Sequence, residues 1–192
     1  MTPGNSRRSQ NSRGTFDLPA AFTQTKCMYD VSADGDRYKQ AHNIQRGGRV
    51  EQEFTATEPY VFSLDVNIGI NPHINPGWSS RTVSYIRGEV INDHGHILSS
   101  DVSQIENNGT TTFRFSPPVQ VKRHKRYWVR VRNTSELTIS PYMRYRLDAS
   151  GKPRKPPGAG RTLVYSGVDP HDVERPMDAL VGCVRGARRT RG

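Results

Sequence analysis

Two short stretches of this chain carry the residues that are best suited to chemistry with a ligand. They are RYWVRVR, residues 126–132, and PYMRYRL, residues 141–147. Apolar side chains occupy alternate positions in both stretches, which is typical of strands that bury one face. We therefore expect the remaining side chains to share the exposed side, namely Arg126, Trp128, Arg130, Arg132, Tyr142, Arg144 and Arg146.

The types of these residues suit the recognition of an anion. An arginine guanidinium can contact a carboxylate or a phosphate through two hydrogen bonds, and Trp128 and Tyr142 offer flat surfaces for stacking. Because the NTSE segment at residues 133–136 is short, we expect the two strands to pair and to form one basic, aromatic face. Like charges destabilise a sheet by up to about 1 kcal/mol for each directly opposed pair, so a bound anion would offset this cost.

A second interpretation of the same face needs no ligand. Residues 54–112 hold six acidic and two basic residues, whereas residues 113–148 hold nine basic and two acidic residues. The arginines could therefore pair with carboxylates of the earlier region, such as Asp65, Glu89 and Asp101, or stay solvated. The sequence leaves the binding face and the internal pairing open.

Strands are the elements that would position this face. GRVEQEFTA, residues 48–56, alternates apolar and polar positions, and about seven such segments follow one another at spacings of about ten residues without a helical pattern between them. We predict an all-β fold, an antiparallel β-sandwich with flexible basic ends. Ile86 falls out of phase with Val83 and Tyr85, which indicates a β-bulge or a strand that is buried on both faces. The clearest alternation, in residues 59–70, predicts one buried face with Phe62, Leu64, Val66, Ile68 and Ile70.

The composition along the chain predicts four parts. Residues 1–15 are expected to be a disordered polar tail, and residues 16–148 are expected to form the sandwich domain. Residues 149–161 are rich in Pro, Gly and Lys and are expected to be a linker. Residues 162–192 are expected to be a C-terminal segment with a basic tail.

Within that C-terminal segment two local structures are suggested. The stretch RTLVYSGV is either one more strand or a segment that packs on the domain. The stretch DPHDVERPMDALVGCV, residues 169–184, indicates one short helix, because Asp178 and the apolar residues 179–181 follow Pro176.

Charge and cysteine usage limit the environment of the protein. The net charge is +10, and no apolar run approaches the about 20 residues that a transmembrane helix needs. The amino end lacks the apolar region of a secretory signal, so a cytoplasmic location is the default expectation, with another export route or a longer chain as alternatives.

We expect Cys27 and Cys183 to be two free thiols; the alternative is a disulfide that closes a long loop.

Residues 44–132 also contain a series of short features in a recognisable order. These are Gln52-Glu53-Phe54, the strand from Gly95 to Leu98, the strand from Phe113 to Val119 and the strand from Tyr127 to Val131. The series resembles that of jelly-roll β-sandwich modules, which include carbohydrate-binding-like accessory domains. The resemblance implies a jelly-roll fold and a non-catalytic, ligand-presenting role, and it carries over no binding residue. The sequence departs from these modules at KRHKR, residues 122–126, where they usually have a glycine turn.

The remaining polar clusters give weaker signals. Asp30, Asp34 and Asp36 are spaced like oxygen ligands of a calcium loop, but the rest of an EF-hand is missing, so a plain turn is favoured. His94 and His96 flank a turn without a third metal ligand nearby. The sequence has no catalytic motif of the nucleophile-elbow, zinc-protease or phosphate-loop type. We therefore expect no catalytic residue, no metal and no cofactor.

The sequence thus favours a non-enzymatic binding or accessory module. Its basic, aromatic face would take an anionic or carbohydrate ligand, or an acidic protein partner. Two alternatives remain: a nucleic-acid-binding protein that uses the same arginines and both ends of the chain, and a structural or assembly subunit. Binding to a phosphate backbone would weaken steeply as the salt concentration rises.

Overall fold

The computed structural model of the chain describes residues 18–32, 38–40, 43–79, 81–107, 109–168 and 171–191. The predicted tail at residues 1–15 and the predicted turn with Asp34 and Asp36 lie outside the described residues. Within the described residues no helix is long and apolar enough to cross a membrane.

All regular elements of the described residues are β-strands, which we number in chain order. They are β1 (Phe22–Val31), β2 (Tyr38–Gln40), β3 (Arg49–Thr55), β4 (Tyr60–Gly69), β5 (Tyr85–Ile91), β6 (Ile97–Gln104), β7 (Gly109–Gln120), β8 (Arg126–Arg132), β9 (Ser140–Arg144), β10 (Arg146–Leu147), β11 (Pro153–Arg154), β12 (Thr162–Tyr165), β13 (Val173–Glu174), β14 (Ala179–Leu180) and β15 (Gly182–Arg189).

Most of these strands belong to two antiparallel sheets. The seven-stranded sheet has the order β1-β15-β4-β9-β14, with β7 paired to β4 and β2 paired to β9. The six-stranded sheet has the order β13-β12-β3-β8-β5-β6, and β10 and β11 form a separate ribbon. The predicted all-β, antiparallel β-sandwich is therefore confirmed, whereas the jelly-roll topology stays a prediction.

The core lies between the two sheets. Phe54 and Val129 from the six-stranded sheet join Leu64 and Phe113 from the seven-stranded sheet in one buried cluster. Gly88 of β5 faces this cluster, and a Cβ atom at that position would overlap the ring of Phe113. The sheets therefore approach each other closely at this point, which only a glycine allows.

The predicted alternation is present in β8 and is broken in β4. Tyr127, Val129 and Val131 are buried, and the residues between them are more exposed. In β4 a register irregularity lies between Val61 and Ser63, so that Val61 joins the core cluster and Phe62 does not. The prediction that Phe62 shares the inner face of β4 is therefore wrong, because a bulge shifts the phase of the strand.

The phase conflict at Ile86 has a simpler cause than a bulge. Ile86 and Val90 both face the core from β5. Val83 precedes the strand, and both Val83 and Tyr85 have exposed side chains. The conflict arises because Val83 and Tyr85, which have side chains typical of the core, are exposed.

The C-terminal part of the chain is integral to both sheets, so the predicted domain boundary at residue 148 is wrong. β12 lies between β3 and β13, and β15 lies between β1 and β4. The basic tail predicted at the C-terminus is largely the end of β15. The reason is that the sandwich needs these strands to complete its hydrogen-bonded sheets.

The short helix predicted within residues 169–184 is also wrong, because the described part of this segment forms β13, β14 and the start of β15. Ala179 and Leu180 form β14, which pairs with β9, and the Val181 N–H donates to the backbone carbonyl of Tyr142. Ala179, Leu180 and Val181 are all almost fully buried. A short apolar run that is buried on all sides has no periodicity that separates a strand from a helix.

The predicted linker contains an ordered turn. Asp148 accepts hydrogen bonds from the Ser150 hydroxyl, the backbone N–H groups of Ser150 and Lys152, and Arg154. These bonds, that of the Ser150 hydroxyl first, hold the pKa of the Asp148 carboxyl well below its usual range. The turn connects β10 to β11, so this segment does not separate two units.

The two cysteines form a disulfide between β1 and β15. Their Cα atoms lie 5.6 Å apart, and 156 positions separate them in the sequence. The expectation of two free thiols is therefore wrong. It failed because the sequence cannot show that β1 and β15 are neighbours.

Candidate functional site

The predicted basic, aromatic face is divided between the two sheets. β8 pairs with β3 and β5, whereas β9 pairs with β4, β14 and β2. The segment between them is not a hairpin turn, because Asn133 directs the chain from one sheet to the other. Its buried side chain donates to the backbone carbonyls of Ile44 at 2.8 Å and Leu137 at 2.7 Å, and it accepts from Ser135.

Seven site residues were predicted, four on β8 and three that follow it in the chain. The three that follow β8 consequently lie apart from the four on β8. Tyr142 is half-buried and packs against the core cluster. Arg144 donates to the backbone carbonyl and the hydroxyl of Ser32, at 3.1 and 3.2 Å. Arg146 is exposed on β10. The structure therefore does not bring Tyr142, Arg144 and Arg146 together with the β8 side chains.

On the outer face of the six-stranded sheet, Arg130 lies between two carboxylates. It donates to Glu51 at 2.8 Å and to Glu89 at 3.1 Å, and Arg132 approaches Glu89 at 3.5 Å. The interpretation of internal pairing is thus correct for Arg130. Of the carboxylates expected to pair with the β8 arginines, Glu89 does so, whereas Asp65 binds Arg185 and Asp101 accepts from the backbone N–H of Arg114. Glu51 was missed because it lies outside the acidic region.

Trp128 and Arg126 occupy the next two outward positions of β8. Trp128 is half-buried and lies in register with Glu53 and Ile91, and the Arg161 guanidinium sits 5.9 Å from the centre of its ring. The Arg126 side chain is 70% exposed and reaches Glu53 at 3.9 Å. Trp128 therefore projects outward as predicted, but neighbouring residues cover part of its surface.

A row of three arginines crosses the same outer face. Arg49 of β3, Arg132 of β8 and Arg87 of β5 lie directly opposite one another on neighbouring strands. Adjacent strands are about 4.8 Å apart, so the three side chains form a closely spaced line. We call Arg49, Arg132 and Arg87 the guanidinium row. Sequence reasoning placed only Arg132 at the site, since alternation shows which side chains point outward but not which strands are neighbours.

The two ends of the guanidinium row differ in their partners. Arg49 donates to Glu51 at 3.0 Å and to Asp172 at 3.1 Å, and its guanidinium lies 5.0 Å from the centre of the Tyr165 ring. Arg87 donates to the Ser100 hydroxyl at 3.3 Å. Among the residues that the structure describes, no carboxylate pairs with Arg87. The Arg87 end is therefore the more electropositive one.

The surroundings of Arg87 are open and partly apolar. Tyr85 precedes it by two positions on the same face of β5 and is 52% exposed. Val102 of β6 lies in register with Arg87 and is 48% exposed. A ligand at this end of the row would meet a guanidinium, an aromatic ring and an aliphatic surface together.

This face combines guanidinium groups with carboxylates. Three guanidiniums, those of Arg49, Arg130 and Arg132, lie close to the carboxylates of Glu51 and Glu89, whereas Arg87 donates to the Ser100 hydroxyl. Preorganised guanidiniums suit carboxylate, sulfate or phosphate groups. Within the described part of the chain there is no group of three or more His, Cys, Asp or Glu side chains that could hold a metal ion.

Comparisons with models of known protein families and with curated proteins find no match to this chain.

Proposed function

We propose that this protein is a non-enzymatic binding module that takes a carboxylate- or sulfate-bearing sugar on the guanidinium row. The observation that carries the proposal is the position of Arg87. It lies in direct register with Arg132, which in turn lies opposite Arg49, and no described carboxylate pairs with Arg87. An anion placed over Arg87 and Arg132 would contact both guanidiniums at once.

The arrangement has an energetic reason to bind an anion. Directly opposed like charges destabilise a sheet by up to about 1 kcal/mol per pair. The row contains two such pairs, Arg49 with Arg132 and Arg132 with Arg87. A bound carboxylate or sulfate would remove this repulsion and would add charge-assisted hydrogen bonds, which are stronger than neutral ones.

The carbohydrate part of the proposal comes from the aromatic side chains and the resemblance. Tyr165 lies in register with Arg49 at one end of the row, and the exposed ring of Tyr85 lies near the other end. Aromatic rings beside arginines can hold the apolar faces of sugar rings while the guanidiniums bind their charged groups. Residues 44–132 also resemble jelly-roll modules of the carbohydrate-binding-like type, in which a ligand-presenting role is expected.

Titration calorimetry with an oligogalacturonate and with a neutral oligosaccharide of equal length tests the proposal. We expect the acidic oligosaccharide to bind and Arg87→Gln to weaken its binding by about tenfold or more, because a charge-assisted hydrogen bond contributes about 1.5–3 kcal/mol. Arg87 has no described ion pair, so its replacement should leave the free energy of unfolding within about 0.5 kcal/mol of the parent.

Arg146→Gln is the matched control, since it removes an equal charge from an exposed residue outside the six-stranded sheet. The proposal is wrong if this control loses affinity as strongly as Arg87→Gln. It is equally wrong if Arg87→Gln binds the acidic oligosaccharide as well as the parent protein does, or if the neutral oligosaccharide binds with the same affinity.

A further inference from the structure

One end of the sandwich gathers basic residues from two distant parts of the sequence. The turn at residues 122–126 connects β7 to β8, and the backbone N–H of His124 and carbonyl of Lys125 bond to Ala56. The last residues of β15 lie beside the start of β4, where Ala187 pairs with Tyr60. Tyr60 also pairs with Gln120 at the end of β7, so the turn and the end of β15 lie at the same end of the molecule.

We call this surface the basic end. It also includes Lys26 of β1, whose charge acts on Glu58 near the centre of the group. All its lysine and arginine side chains belong to exposed residues, and they are Lys26, Lys122, Arg123, Lys125, Arg126, Arg188, Arg189 and Arg191. Among the residues that the structure describes, the carboxylates that pair with them are those of Glu53 and Glu58. The surface thus has a large excess of positive charge, whatever the guanidinium row binds.

Glu58 fixes the geometry of the basic end. Its side chain is only 4% exposed, Arg188 donates to both of its oxygens at 2.6 and 2.8 Å, and Arg123 approaches at 3.7 Å. The hydrogen bond from Arg188 is the main cause that lowers the pKa of Glu58, so the carboxylate is charged at neutral pH. One buried anion therefore holds the 122–126 turn and the end of β15 in a fixed relation.

Arg189 adds an aromatic element to this surface. It donates to the Tyr60 hydroxyl at 2.8 Å, and its guanidinium lies 5.6 Å from the centre of the Phe22 ring and 5.8 Å from that of Tyr60. The two rings meet edge to face at 4.9 Å. A guanidinium plane held on aromatic rings is a suitable platform for a nucleotide base.

We propose that the basic end binds the phosphate backbone of single-stranded nucleic acid, at a site separate from the guanidinium row. Exposed lysines and arginines supply the electrostatic attraction, and the Arg189 platform supplies stacking. An anionic membrane fits less well, because stable membrane binding combines basic charge with inserted apolar side chains. Among the described residues, the exposed large hydrophobic side chains lie elsewhere, in residues 74–85, 97–102 and 168–177.

The test is fluorescence anisotropy with a labelled single-stranded DNA of about 15 nucleotides, measured between about 50 and 200 mM salt. The variant is Lys122→Gln, Lys125→Gln and Arg191→Gln combined, which leaves the Glu58 ion pairs intact. We expect its affinity at low salt to fall at least tenfold. Each lost phosphate contact lowers the slope of log K against log salt by about 0.7, so the slope should fall by about 2.

Arg81→Gln, Arg146→Gln and Lys152→Gln combined form the matched control, because they remove the same charge from exposed residues elsewhere. We expect this control and Arg87→Gln to bind DNA like the parent protein. An equal loss in the control overturns the proposal, as does a parent protein that binds no DNA. Binding to vesicles of phosphatidylserine and phosphatidylcholine without binding to DNA would overturn it in favour of a membrane. Unfolding curves show whether the triple variant is folded. If it is misfolded, Lys122→Gln alone is measured instead, and the slope of log K against log salt is expected to fall by about 0.7.

Discussion

Arg130 and Arg87 have the same outward orientation but different environments. Arg130 is only 15% exposed and is enclosed by Glu51 and Glu89. Its removal would leave the buried Glu89 with a weaker set of partners, and breaking a buried ion pair is strongly destabilising. Among the described residues, no carboxylate pairs with Arg87. Its replacement is therefore expected to test the proposed binding without a large loss of stability.

Alternation along the strands was sufficient to predict that Arg126, Trp128, Arg130 and Arg132 face outward. It could not predict their partners, because a carboxylate on a neighbouring strand is revealed only by the register of the sheet. Arg49 and Arg87 were missed for the same reason. The orientation of each residue was therefore accessible from the sequence, whereas the composition of the site was not.

Gly88 provides a test of the close approach between the sheets. We expect Gly88→Ala to lower the free energy of unfolding by about 1–3 kcal/mol, because the added methyl group overlaps the ring of Phe113 in a tightly packed core. Urea denaturation measures this change. The control is Gly109→Ala, where the nearest atom to the new Cβ lies at an ordinary 3.7 Å. Equal stability of the two variants would contradict the packing described for Gly88.

Glu58 provides a test of the buried ion pair. Its folded-state pKa lies below the usual 4.5, so its contribution to stability is present above pH 4.5 and is lost as the pH falls through the lowered pKa. We expect the free energy of unfolding to fall over this acidic range and Glu58→Gln to flatten that fall. Urea denaturation at a series of pH values measures both. Glu136→Gln, at an 82% exposed carboxylate, should keep the parent pH profile; an unchanged profile in Glu58→Gln would contradict the assignment.

At the scale of the element, the positions of the central strands were easier to predict than their number or their neighbours; about seven strands were expected, and the described residues form fifteen. The alternating stretches of β3, β4, β7 and β8 all form strands in the structure. The predicted pairing of β8 with β9 was wrong, because the chain passes to the other sheet after β8. In this connection the Asn133 side chain donates hydrogen bonds to the backbone carbonyls of Ile44 and Leu137. A short connection therefore did not mean a hairpin, and nothing in the local pattern of residues 133–136 distinguishes the two outcomes.

The C-terminal strands were harder to predict than the central ones. β14 has two residues and β12 has four, which is too short for alternation to be convincing. β15 contains two glycines and ends in two arginines, so its composition resembles that of a tail. These strands are defined by the neighbours that they pair with. For β12 and β15 the neighbours β3 and β4 lie more than 100 positions earlier in the sequence, and for β14 the neighbour β9 lies about 35 positions earlier.

At the scale of the whole molecule, the net charge of +10 is not spread evenly. On the outer face of the six-stranded sheet, Glu51 and Glu89 balance much of the positive charge. A local excess of positive charge remains at Arg87. The basic end keeps most of its charge exposed. The ligands that we propose for the two surfaces differ accordingly, a compact anion for the guanidinium row and an extended polyanion for the basic end, and the variants proposed above separate them.

The disulfide between Cys27 and Cys183 should be a major contribution to global stability. It closes a loop across 156 positions, and the chain-entropy description assigns a loop of this length a stabilisation of about 5 kcal/mol. We expect dithiothreitol to lower the urea midpoint of the parent accordingly. A double variant with alanine at both cysteines should be insensitive to the reductant. A midpoint unchanged after full reduction, verified by thiol titration, would contradict this expectation.

The disulfide also bears on the environment in which the chain folds. Such bonds form and persist in oxidising compartments and are rare in a reducing cytosol. A disulfide of this kind is therefore more typical of an oxidising compartment than of the cytoplasm, which was the default expectation from the sequence.

The position of β15 has a consequence for folding during the synthesis of the protein. On the ribosome β1 emerges before β15, the neighbour that joins it to the rest of its sheet. β15 is translated about 150 residues later, which takes roughly ten seconds or more at typical elongation rates. Throughout that interval the first strand has an unfilled edge beside it. A nascent chain of this kind would benefit from a chaperone that shields the early strand until the late one arrives.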